Sequence, residues 1–490
     1  MITDYKKLLQ DFLSGKELIL VSNRGPYSFE LDENGKPVEA RGGGGLVSAL
    51  LSLLADIDVT WLSVARTAVD SQIGLGGVFV GPGKSSKVKF LNLKEDLYSA
   101  YYDKMCNEVF WFIQHGLADS TYNPVFNEET NSAWRSYSLV NKYFGEALAR
   151  YLEGKRKKTI VMFQDYHLYL AASSLRRNKD VLSCHFTHIP WPAPETMSIL
   201  PGDILKSVAR GLLSNDLIGF HCQSYVSNFL RTCEELLGFE MNVHEQTVKF
   251  NGRPVKVAAF PISIDARSLA AEGKLKEVLS FEDSFASKEQ IVFRADRVDP
   301  SKNIIRGFLS FERMLELFPD LHGKVTFLAY LYESRKLDYY RRYLQRINET
   351  VRQINSRFGT RNWQPVKMRI ADNYWQTLAA YKHFDVLLVN SIADGMNLVA
   401  KEGSLLNQNN GVLVLSTNTG AFNELSRYCL GVNPFDINET ALSLREALAM
   451  PRKKRENYSM LLKDVIRTNN SAKWLYYQLR AVSGDVANWF

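Results

Sequence analysis

The sequence predicts an α/β protein built from two Rossmann-like domains that face each other across a cleft. Two observations lead to this fold class. Short apolar runs that are typical of buried strands alternate with amphipathic helical segments, and the alternation restarts after a polar stretch at 266–288. In both halves, polar and charged residues directly follow the strands, at the sheet edge where ligands bind in open α/β folds.

The overall composition is that of an ordinary globular protein. The chain has 490 residues, of which 46% are hydrophobic and 23% charged, enough for two or three domains. The formal charge of +7 fits an anionic ligand, and no nucleic-acid-binding motif accompanies it. No apolar run is long enough to span a membrane, and residues 1–16 lack a signal-peptide core. The five scattered cysteines indicate a reduced, cytoplasmic protein without structural zinc.

The individual elements follow from apolar periodicity and from the turn formers that bound each run. Strands are predicted at 17–22, 59–64, 88–93, 159–163, 182–186, 217–222 and 255–260, and then at 291–295, 324–331, 386–389 and 411–416. Helices are predicted at 46–54, 97–115, 132–152, 168–177, 223–237, 304–318, 336–357, 440–450 and 458–479. The helix at 97–115 is rich in aromatic residues, which at this spacing usually form core.

Polar residues at strand ends in the first half are candidate ligand contacts. Arg24 follows the first strand, Asp165 and His167 follow the strand at 159–163, and His188 follows the strand at 182–186. A glycine run, Gly42 to Gly45, leaves backbone N–H groups bare, so that a phosphate or sugar can approach the main chain. The same run also fits a flexible loop tip, and a single histidine at a strand end is more often structural.

Arg297 and Lys302 bracket a proline-containing turn after the strand at 291–295. Two cations at a strand end can neutralise a diphosphate, the arginine through a bidentate fork and the lysine as a point charge. Two solvated loop cations would give the same pattern.

The stretch from Phe384 to Glu402 reads as a buried strand, a tight glycine-containing loop and a helix that begins near Asn397. A strand, such a loop and a helix N-terminus form an anion-binding arrangement. Asp394 at the mouth of the loop and Glu402 inside the helix can each hold hydroxyl groups beside a bound phosphate, which suggests a sugar-nucleotide site. An ordinary βα turn with two solvated acids remains the alternative.

The motifs of two common nucleotide-binding classes are missing from the sequence. No G-x-G-x-x-G follows the first strand, and no G-x-x-x-x-G-K-[ST] occurs. A dinucleotide oxidoreductase and a P-loop NTPase are therefore not supported.

Seven ordered motifs together resemble one enzyme family. They are Ser22-Asn23-Arg24, Gly44-Gly45-Leu46, Asp165-Tyr166-His167, His188-Ile189-Pro190, Arg297 with Lys302, the run from Asp394 to Glu402, and Asn433-Pro434. Over roughly residues 17–480 the chain resembles retaining glycosyltransferases of the trehalose-6-phosphate synthase type, glycosyltransferase family 20, which have the GT-B fold. The resemblance implies an acceptor-binding domain at 1–264, a nucleotide-sugar donor domain at 265–455, and a C-terminal helix at 456–490 that packs back on the N-terminal domain.

The resemblance also assigns roles to individual residues. The residues implied in catalysis are Asp165, His188, Arg297, Lys302 and Asp394. The donor would be held by Gly45, His188, Arg297, Lys302, Asp394, Gly395, Met396, Asn397, Leu398 and Glu402, with the two cations on the diphosphate and Glu402 on the ribose. The acceptor would be held by Arg24, Tyr102, Trp111, Asp165 and Arg335, with Arg24, Tyr102 and Arg335 on its phosphate.

Three segments depart from the family pattern. Asp296 to Asn303 reads Asp-Arg-Val-Asp-Pro-Ser-Lys-Asn where the family usually has Glu-Arg-Leu-Asp-Tyr-x-Lys-Gly. Gln164 replaces the histidine that usually precedes Asp165. After Trp111 the chain reads Phe-Ile-Gln-His-Gly-Leu instead of Pro-x-x-His-Tyr-Arg, which alters the acceptor wall.

The implied activity is transfer of glucose from a nucleotide-glucose donor, UDP- or GDP-glucose, to glucose 6-phosphate to give α,α-trehalose 6-phosphate. No metal or cofactor is expected, the partners are the two substrates, and relatives form dimers or tetramers. The alternatives are a transferase for another acceptor, such as a glucosylglycerol-phosphate synthase or a validamycin-type pseudo-glycosyltransferase, and a non-catalytic sugar-phosphate sensor. The sequence leaves UDP, GDP and ADP open as the donor nucleotide.

Overall fold

The computed structural model describes residues 3–41, 50–51, 57–81, 85–119, 121–175, 180–285, 289–335 and 337–484. The chain divides into two compact units. The first comprises Met1–Ile262 together with Ser471–Phe490, and the second comprises Ser263–Asn470. The first break, between Ile262 and Ser263, lies two residues before the predicted boundary between 264 and 265.

The first unit is built on a large, mostly parallel sheet. Its strands are β1 (Lys16–Val21), β2 (Tyr27–Leu31), β3 (Pro37–Arg41), β4 (Val59–Val64), β5 (Val78–Val80), β6 (Ser86–Leu91), β7 (Lys158–Gln164), β8 (Val181–Phe186), β9 (Leu217–Phe220), β10 (Met241–Asn242), β11 (Thr247–Phe250) and β12 (Arg253–Ala259). Among the described residues the main sheet has the order β10-β11-β12-β9-β8-β7-β1-β4-β6-β5, and β2 pairs with β3 as a separate hairpin. The strands from β12 to β6 in this order are parallel, as the β–α alternation predicts.

Helices cover the sheet of the first unit. They are α1 (Tyr5–Leu13), α2 (Ala68–Ile73), α3 (Glu95–Ser99), α4 (Trp111–Gln114), α5 (Glu128–Leu152), α6 (Pro194–Met197), α7 (Gly202–Leu213) and α8 (Gln223–Arg231). A π-helical segment, Ala100–Phe110, joins α3 to α4, and a second one, Thr232–Leu236, extends α8. The aromatic residues of the region predicted as a helix at 97–115 are largely core, as predicted: Tyr98, Tyr101, Phe110 and Trp111 are buried.

The second unit is a smaller, wholly parallel sheet. Its strands are β13 (Gln290–Arg297), β14 (Val325–Tyr332), β15 (Val366–Ile370), β16 (Val386–Val389), β17 (Val412–Ser416) and β18 (Leu430–Val432), in the order β15-β14-β13-β16-β17-β18. Its helices are α9 (Ala266–Glu272), α10 (Lys276–Leu279), α11 (Ile304–Leu317), α12 (Asp338–Phe358), α13 (Tyr374–His383), α14 (Leu398–Leu406), α15 (Phe422–Leu425), α16 (Ile437–Ala449) and α17 (Arg452–Thr468). One further helix, α18 (Ser471–Val482), lies in the part of the chain that belongs to the first unit.

Two expectations from the sequence are wrong. In its described part, the segment predicted as a helix over 168–177 has only two short 3₁₀ turns, Tyr166–Leu168 and Ala171–Ser174. The tail predicted to return to the first domain from residue 456 returns only from Ser471, because α17 packs against α14 of the second unit. The strands at 78–80, 241–242, 247–250, 366–370 and 430–432 were not predicted, since each is short or polar. The predicted helix at 46–54 lies almost entirely outside the described residues.

None of the helices in the described part of the chain combines the length and the apolar character that crossing a membrane requires.

Candidate active site

Each sheet has a topological switch point, where consecutive strands diverge to opposite sides. In the first unit this point lies between β7 and β1, and in the second between β13 and β16. The carboxyl ends of the strands beside a switch point form a crevice that binds ligands in open α/β sheets. Asp165 and Arg24 follow β7 and β1, and Arg297 and Asp394 follow β13 and β16, so the predicted residues lie at these two crevices.

The end of β1 is fixed by buried polar contacts. The Ser22 hydroxyl accepts a hydrogen bond from Trp61 Nε1 (2.7 Å) and donates one to the Arg24 carbonyl (2.6 Å). Asn23 is buried and donates to the Tyr98 hydroxyl (3.2 Å). These contacts hold the backbone, so that the Arg24 side chain projects outward, where it is exposed.

Arg24 lies against a stack of aromatic rings. Its Nη2 donates to the Tyr102 hydroxyl (3.3 Å), and its guanidinium carbon is 5.9 Å from the Tyr102 ring centroid. The Tyr102 ring stacks on Tyr98 on one side (5.1 Å) and on His167 on the other (5.6 Å). The predicted Arg24–Tyr102 pair is therefore in contact, and the stack restricts its motion.

Trp111 is part of the same aromatic wall but is buried. Its ring lies 3.9 Å from that of His115 and 5.8 Å from that of Tyr166, and Tyr166 contacts His167 (4.0 Å). Trp111 is 6% exposed, so any contact with an acceptor would use only a ring edge.

Asp165 has an unusual backbone conformation. Its φ of 73° and ψ of 170° are rarely adopted by residues other than glycine and persist only where the surroundings enforce them. Its Oδ1 accepts the backbone N–H of His188 (3.0 Å), and the His167 ring nitrogen is 4.0 Å from its Oδ2. The ends of β7 and β8 are thereby tied together.

His188 is neutral and oriented by Gln164. Its Nε2 donates to the Gln164 Oε1 at 2.8 Å, because a carbonyl oxygen can only accept. Burial, together with the neighbouring His221 ring at 5.3 Å, holds the pKa of His188 well below its usual value. Trp474, on α18, contacts the same ring (5.9 Å).

In the second unit, β13 delivers a buried ion pair and then Arg297. The Arg294 Nη2 donates to the Asp296 Oδ2 (2.7 Å), and burial raises the pKa of Asp296 although the guanidinium opposes this. Arg297 stands opposite Tyr332 in the parallel register. Burial raises the pKa of Tyr332, and its hydroxyl lies within the electrostatic range of Arg297, Lys302 and Glu402.

The turn after β13 is organised by Asp299 and Asn303. The buried Asp299 carboxylate accepts the Ser301 N–H (2.9 Å) and hydroxyl (2.8 Å). Asn303 donates to the carbonyls of Asn390 (2.9 Å) and Pro434 (2.7 Å), which gives the Asn433-Pro434 motif a structural role.

Arg335 lies in a buried cluster of the second unit. Its Nη1 donates to Asp299 Oδ2 (3.1 Å) and to the Tyr340 hydroxyl (2.5 Å), and it is 9% exposed. In this structure its guanidinium supports the Lys302 turn, and its predicted contact with the acceptor phosphate stays a prediction.

Asp394 is the centre of the loop that follows β16. Its Oδ2 forms an ion pair with Lys302 Nζ and accepts hydrogen bonds from Asn397 Nδ2 (3.0 Å) and the Ser391 hydroxyl (3.4 Å). Lys302 and Asp394 therefore meet, although they are far apart in sequence. Both side chains are 13% exposed, so the pair is accessible to a ligand.

The segment from Gly395 to Leu398 leads directly into α14. Asn397 has a left-handed backbone (φ 70°), and its side chain caps the helix by accepting the Ala400 N–H (3.4 Å). The first N–H groups of α14 face the loop, and the helix dipole favours an anion there. Met396 is buried and its carbonyl accepts the Ala421 N–H (2.9 Å), while Glu402 is half-buried one turn further along.

Gly45 and its glycine run lie outside the described residues. Within the described residues, no group of three or more His, Cys, Asp or Glu side chains could hold a metal ion.

Comparison of the whole chain with models of known protein families identifies its family. The model of glycosyltransferase family 20 matches residues 16–483. The chain belongs to glycosyltransferase family 20. Its α/β fold is of the GT-B type.

Several members of family 20 are similar to the chain. A probable α,α-trehalose-phosphate synthase (UDP-forming) from Arabidopsis thaliana is 32% identical over 93% of this chain and 56% of its own length. A UDP-forming synthase from Schizosaccharomyces pombe is 31% identical over 92% of this chain and 87% of its own length. The chain thus spans little more than half of the plant relative but most of the yeast one.

Solved structures of family 20 are similar along nearly the whole chain. A UDP-forming synthase from Burkholderia xenovorans in complex with glucose 6-phosphate superposes with a TM-score of 0.82 at 26% identity, covering 96% of this chain and 100% of that one. A structure from E. coli bound with UDP-2-fluoro glucose gives 0.81 at 27% identity over the same shares.

Some contacts at this family 20 site were not predicted from the sequence. Ser391 and Asn303 support donor residues, Tyr332 stands opposite Arg297 in the sheet, and Tyr98 and Trp474 pack beside Tyr102 and His188. Tyr98 lay in a stretch that aromatic spacing assigned to core, and only the fold shows that its hydroxyl faces the end of β1. Gln164 was recognised as a departure, but its hydrogen bond to His188 needed the fold.

Proposed function

We propose that the protein is a retaining glycosyltransferase that moves glucose from UDP-glucose to glucose 6-phosphate and forms α,α-trehalose 6-phosphate. The observation that carries the proposal is the convergence of Arg297, Lys302 and the Asp394 loop at the switch point of the second unit. Relatives described as UDP-forming support the choice of UDP among the donor nucleotides.

The donor diphosphate would be neutralised by Arg297 and Lys302 and by the N-terminus of α14. These groups act where negative charge develops as the bond between the sugar and the phosphate breaks. Asp394 and the amides of Gly395 to Leu398 would hold the glucose, and Glu402 would hold the ribose hydroxyls. Lys302 would exchange part of its contact with Asp394 for a phosphate oxygen.

The acceptor would bind in the first unit, with its phosphate on Arg24 and Tyr102 and its sugar near Asp165 and the edge of Trp111. Its hydroxyl oxygen would attack the anomeric carbon from the face that the phosphate leaves, and the departing phosphate oxygen would take the hydroxyl proton. One C–O bond forms as another breaks on the same face, so the anomeric configuration is retained. His188, neutral and held by Gln164, would contact a sugar hydroxyl.

We propose that turnover needs no metal, because two fixed cations and a helix N-terminus supply positive charge to the departing nucleoside diphosphate. We further propose a cytoplasmic location and a homo-oligomer, either dimer or tetramer. All five cysteines are buried thiols, which supports a reducing compartment. Light scattering of the purified protein distinguishes the two assemblies.

A matrix assay of nucleotide release tests the function. UDP-, GDP- and ADP-glucose are each paired with glucose 6-phosphate, glycerol 3-phosphate and no acceptor, with and without a chelator. We expect chelator-insensitive UDP release that depends on glucose 6-phosphate. If nucleotide is released only with glycerol 3-phosphate, the acceptor is glycerol 3-phosphate and not glucose 6-phosphate, which would agree with the altered sequence after Trp111. If folded protein binds a nucleotide sugar but releases no nucleotide in any pairing, a non-catalytic sensor is favoured.

A further inference from the structure

Arg66 reaches the same sheet edge as Arg24. It follows β4, which pairs in parallel with β1 through Val21 and Leu62, and its side chain is exposed. Neighbouring parallel strands lie about 4.8 Å apart, so residues just beyond their carboxyl ends are neighbours too. The edge therefore presents His188, Asp165, Arg24 and Arg66 from β8, β7, β1 and β4 in that order.

The backbone at Arg66 is held by a buried acid. Asp70 is fully buried, and its carboxylate accepts the N–H groups of Phe29 (2.8 Å), Arg66 (2.9 Å) and Thr67 (3.3 Å). The Thr67 hydroxyl in turn accepts the Asp70 N–H (3.0 Å), which completes a capping box at α2. Asp70 is thus occupied by backbone groups, and the Arg66 side chain starts from a fixed point.

The Arg66 guanidinium lies over the aromatic stack that also carries Arg24. Its central carbon is 4.3 Å from the Tyr98 ring centroid, and Tyr98 stacks on Tyr102, which Arg24 contacts. Burial raises the pKa of the Tyr98 hydroxyl, and both guanidinium groups act on this hydroxyl in the opposite sense. The two cations therefore flank one tyrosine pair.

Neither cation forms an ion pair with a carboxylate in the described part of the chain, whereas Arg135 and Arg231, two other exposed arginines of this unit, do. The two guanidinium groups beside the Tyr98–Tyr102 pair repel each other, and a bound anion would offset this repulsion. A sugar phosphate carries close to two negative charges at neutral pH, and arginine forks match its oxygens.

We propose that Arg66 is a specificity-determining residue that binds the acceptor phosphate together with Arg24 and Tyr102. This inference rests on the proposed function and names a group that recognises the phosphorylated form of the acceptor. Because Arg66 would contact the phosphate and not the reacting hydroxyl, it would bind the ground state and the transition state equally.

The test compares Arg66→Ala and Arg66→Lys with Arg210→Ala, an exposed arginine on α7 that removes the same charge elsewhere in the unit. Calorimetry measures binding of glucose 6-phosphate, glucose and inorganic phosphate to the full chain, and kinetics follow. We expect Arg66→Ala to weaken glucose 6-phosphate binding and raise its KM about tenfold or more, with kcat and the donor KM changed less than threefold. Arg66→Lys recovers part of the loss, and Arg210→Ala changes nothing.

Glucose 6-phosphate binding that is equal in the wild type and Arg66→Ala would overturn the assignment of Arg66 alone. A wild type that binds no glucose 6-phosphate would overturn the proposed function itself. A kcat loss in Arg66→Ala at unchanged KM would also contradict the phosphate contact.

Discussion

At the scale of single residues, the Lys302–Asp394 ion pair is the most informative contact of the donor site. The sequence predicted both residues from local patterns, yet their contact joins two loops on neighbouring strands. Asp394 also accepts hydrogen bonds from Asn397 and Ser391. Its position therefore does not depend on Lys302 alone, and Lys302 can be replaced without collapse of the loop.

We expect Lys302→Ala and Arg297→Ala each to lower kcat about 100-fold or more, because each removes a preformed cation from the leaving diphosphate. Initial-rate kinetics and circular dichroism measure the effect and the integrity of the fold. Lys453→Ala, an exposed lysine on α17, is the matched control and should retain full activity. Rates like the wild type in both site variants would remove the diphosphate assignment.

Gln164 holds the His188 ring by a hydrogen bond and adds no charge beside it, so burial and His221 keep the pKa of His188 low. We expect Gln164→Glu to raise the pKa of His188, because a carboxylate 2.8 Å from the ring stabilises the imidazolium. NMR titration of the histidine rings measures this without reference to turnover. Gln164→Leu, which removes the partner but adds no charge, should leave the pKa low. An unchanged pKa in Gln164→Glu would show that this contact does not control the ring.

At the scale of elements, the sequence predicted the strand ends well because apolar runs and turn formers are local signals. It could not predict how loops meet. The loop after β16 is closed by the loop after β17, where Gly420 donates to the Asp394 carbonyl (3.1 Å). A Cβ on Gly420 would lie 1.9 Å from the Gly395 carbonyl oxygen. Only the three-dimensional packing reveals this requirement for glycine.

Gly420→Ala should therefore displace the donor loop. We expect a lower thermal midpoint and UDP binding weakened about tenfold or more, because the added methyl group meets backbone that cannot move away without shifting Asp394. Calorimetry with UDP and thermal unfolding measure the two effects. Gly202→Ala at the start of α7 is the control, since a Cβ there meets nothing within 4 Å. Equal UDP affinity in Gly420→Ala and the wild type would contradict the close packing.

At the scale of the whole molecule, the β–α rhythm and the polar interruption near 266 were sufficient to predict two α/β units. The end of the chain was harder. Helices α17 and α18 have similar amphipathic patterns, and nothing local shows which core each one joins. Trp474 is buried against Phe186 and His188 of the first unit, and this contact depends on tertiary packing that the local sequence does not show. The chain from Ser471 therefore joins the first unit, as predicted, whereas residues 456–470, which were predicted to join it as well, belong to the second unit.

Buried histidines make the stability of the protein dependent on pH. Burial lowers the pKa of His185 to about 3, and neither ring nitrogen has a hydrogen-bond partner among the described residues. The unfolded chain therefore binds more protons than the folded one between about pH 3 and 6.5, and stability falls as the pH falls through this window. By pH 5 this one group costs about 2 kcal/mol.

Between pH 7 and pH 5, the unfolding free energy of the wild type should fall by about 2 kcal/mol more than that of His185→Leu. Urea unfolding at the two pH values measures this difference. His244→Leu, at an exposed position, is the control and should follow the wild type. Identical pH dependence in His185→Leu and the wild type would show that His185 is not neutral in the folded protein.

In the proposed reaction donor and acceptor are joined with retention, by attack on the face from which the phosphate leaves. NMR analysis of the product from UDP-glucose and glucose 6-phosphate measures the configuration of the new linkage. We expect a phosphorylated disaccharide in which both anomeric centres are α. A β-configured linkage, or free glucose released at the same rate with and without acceptor, would contradict it.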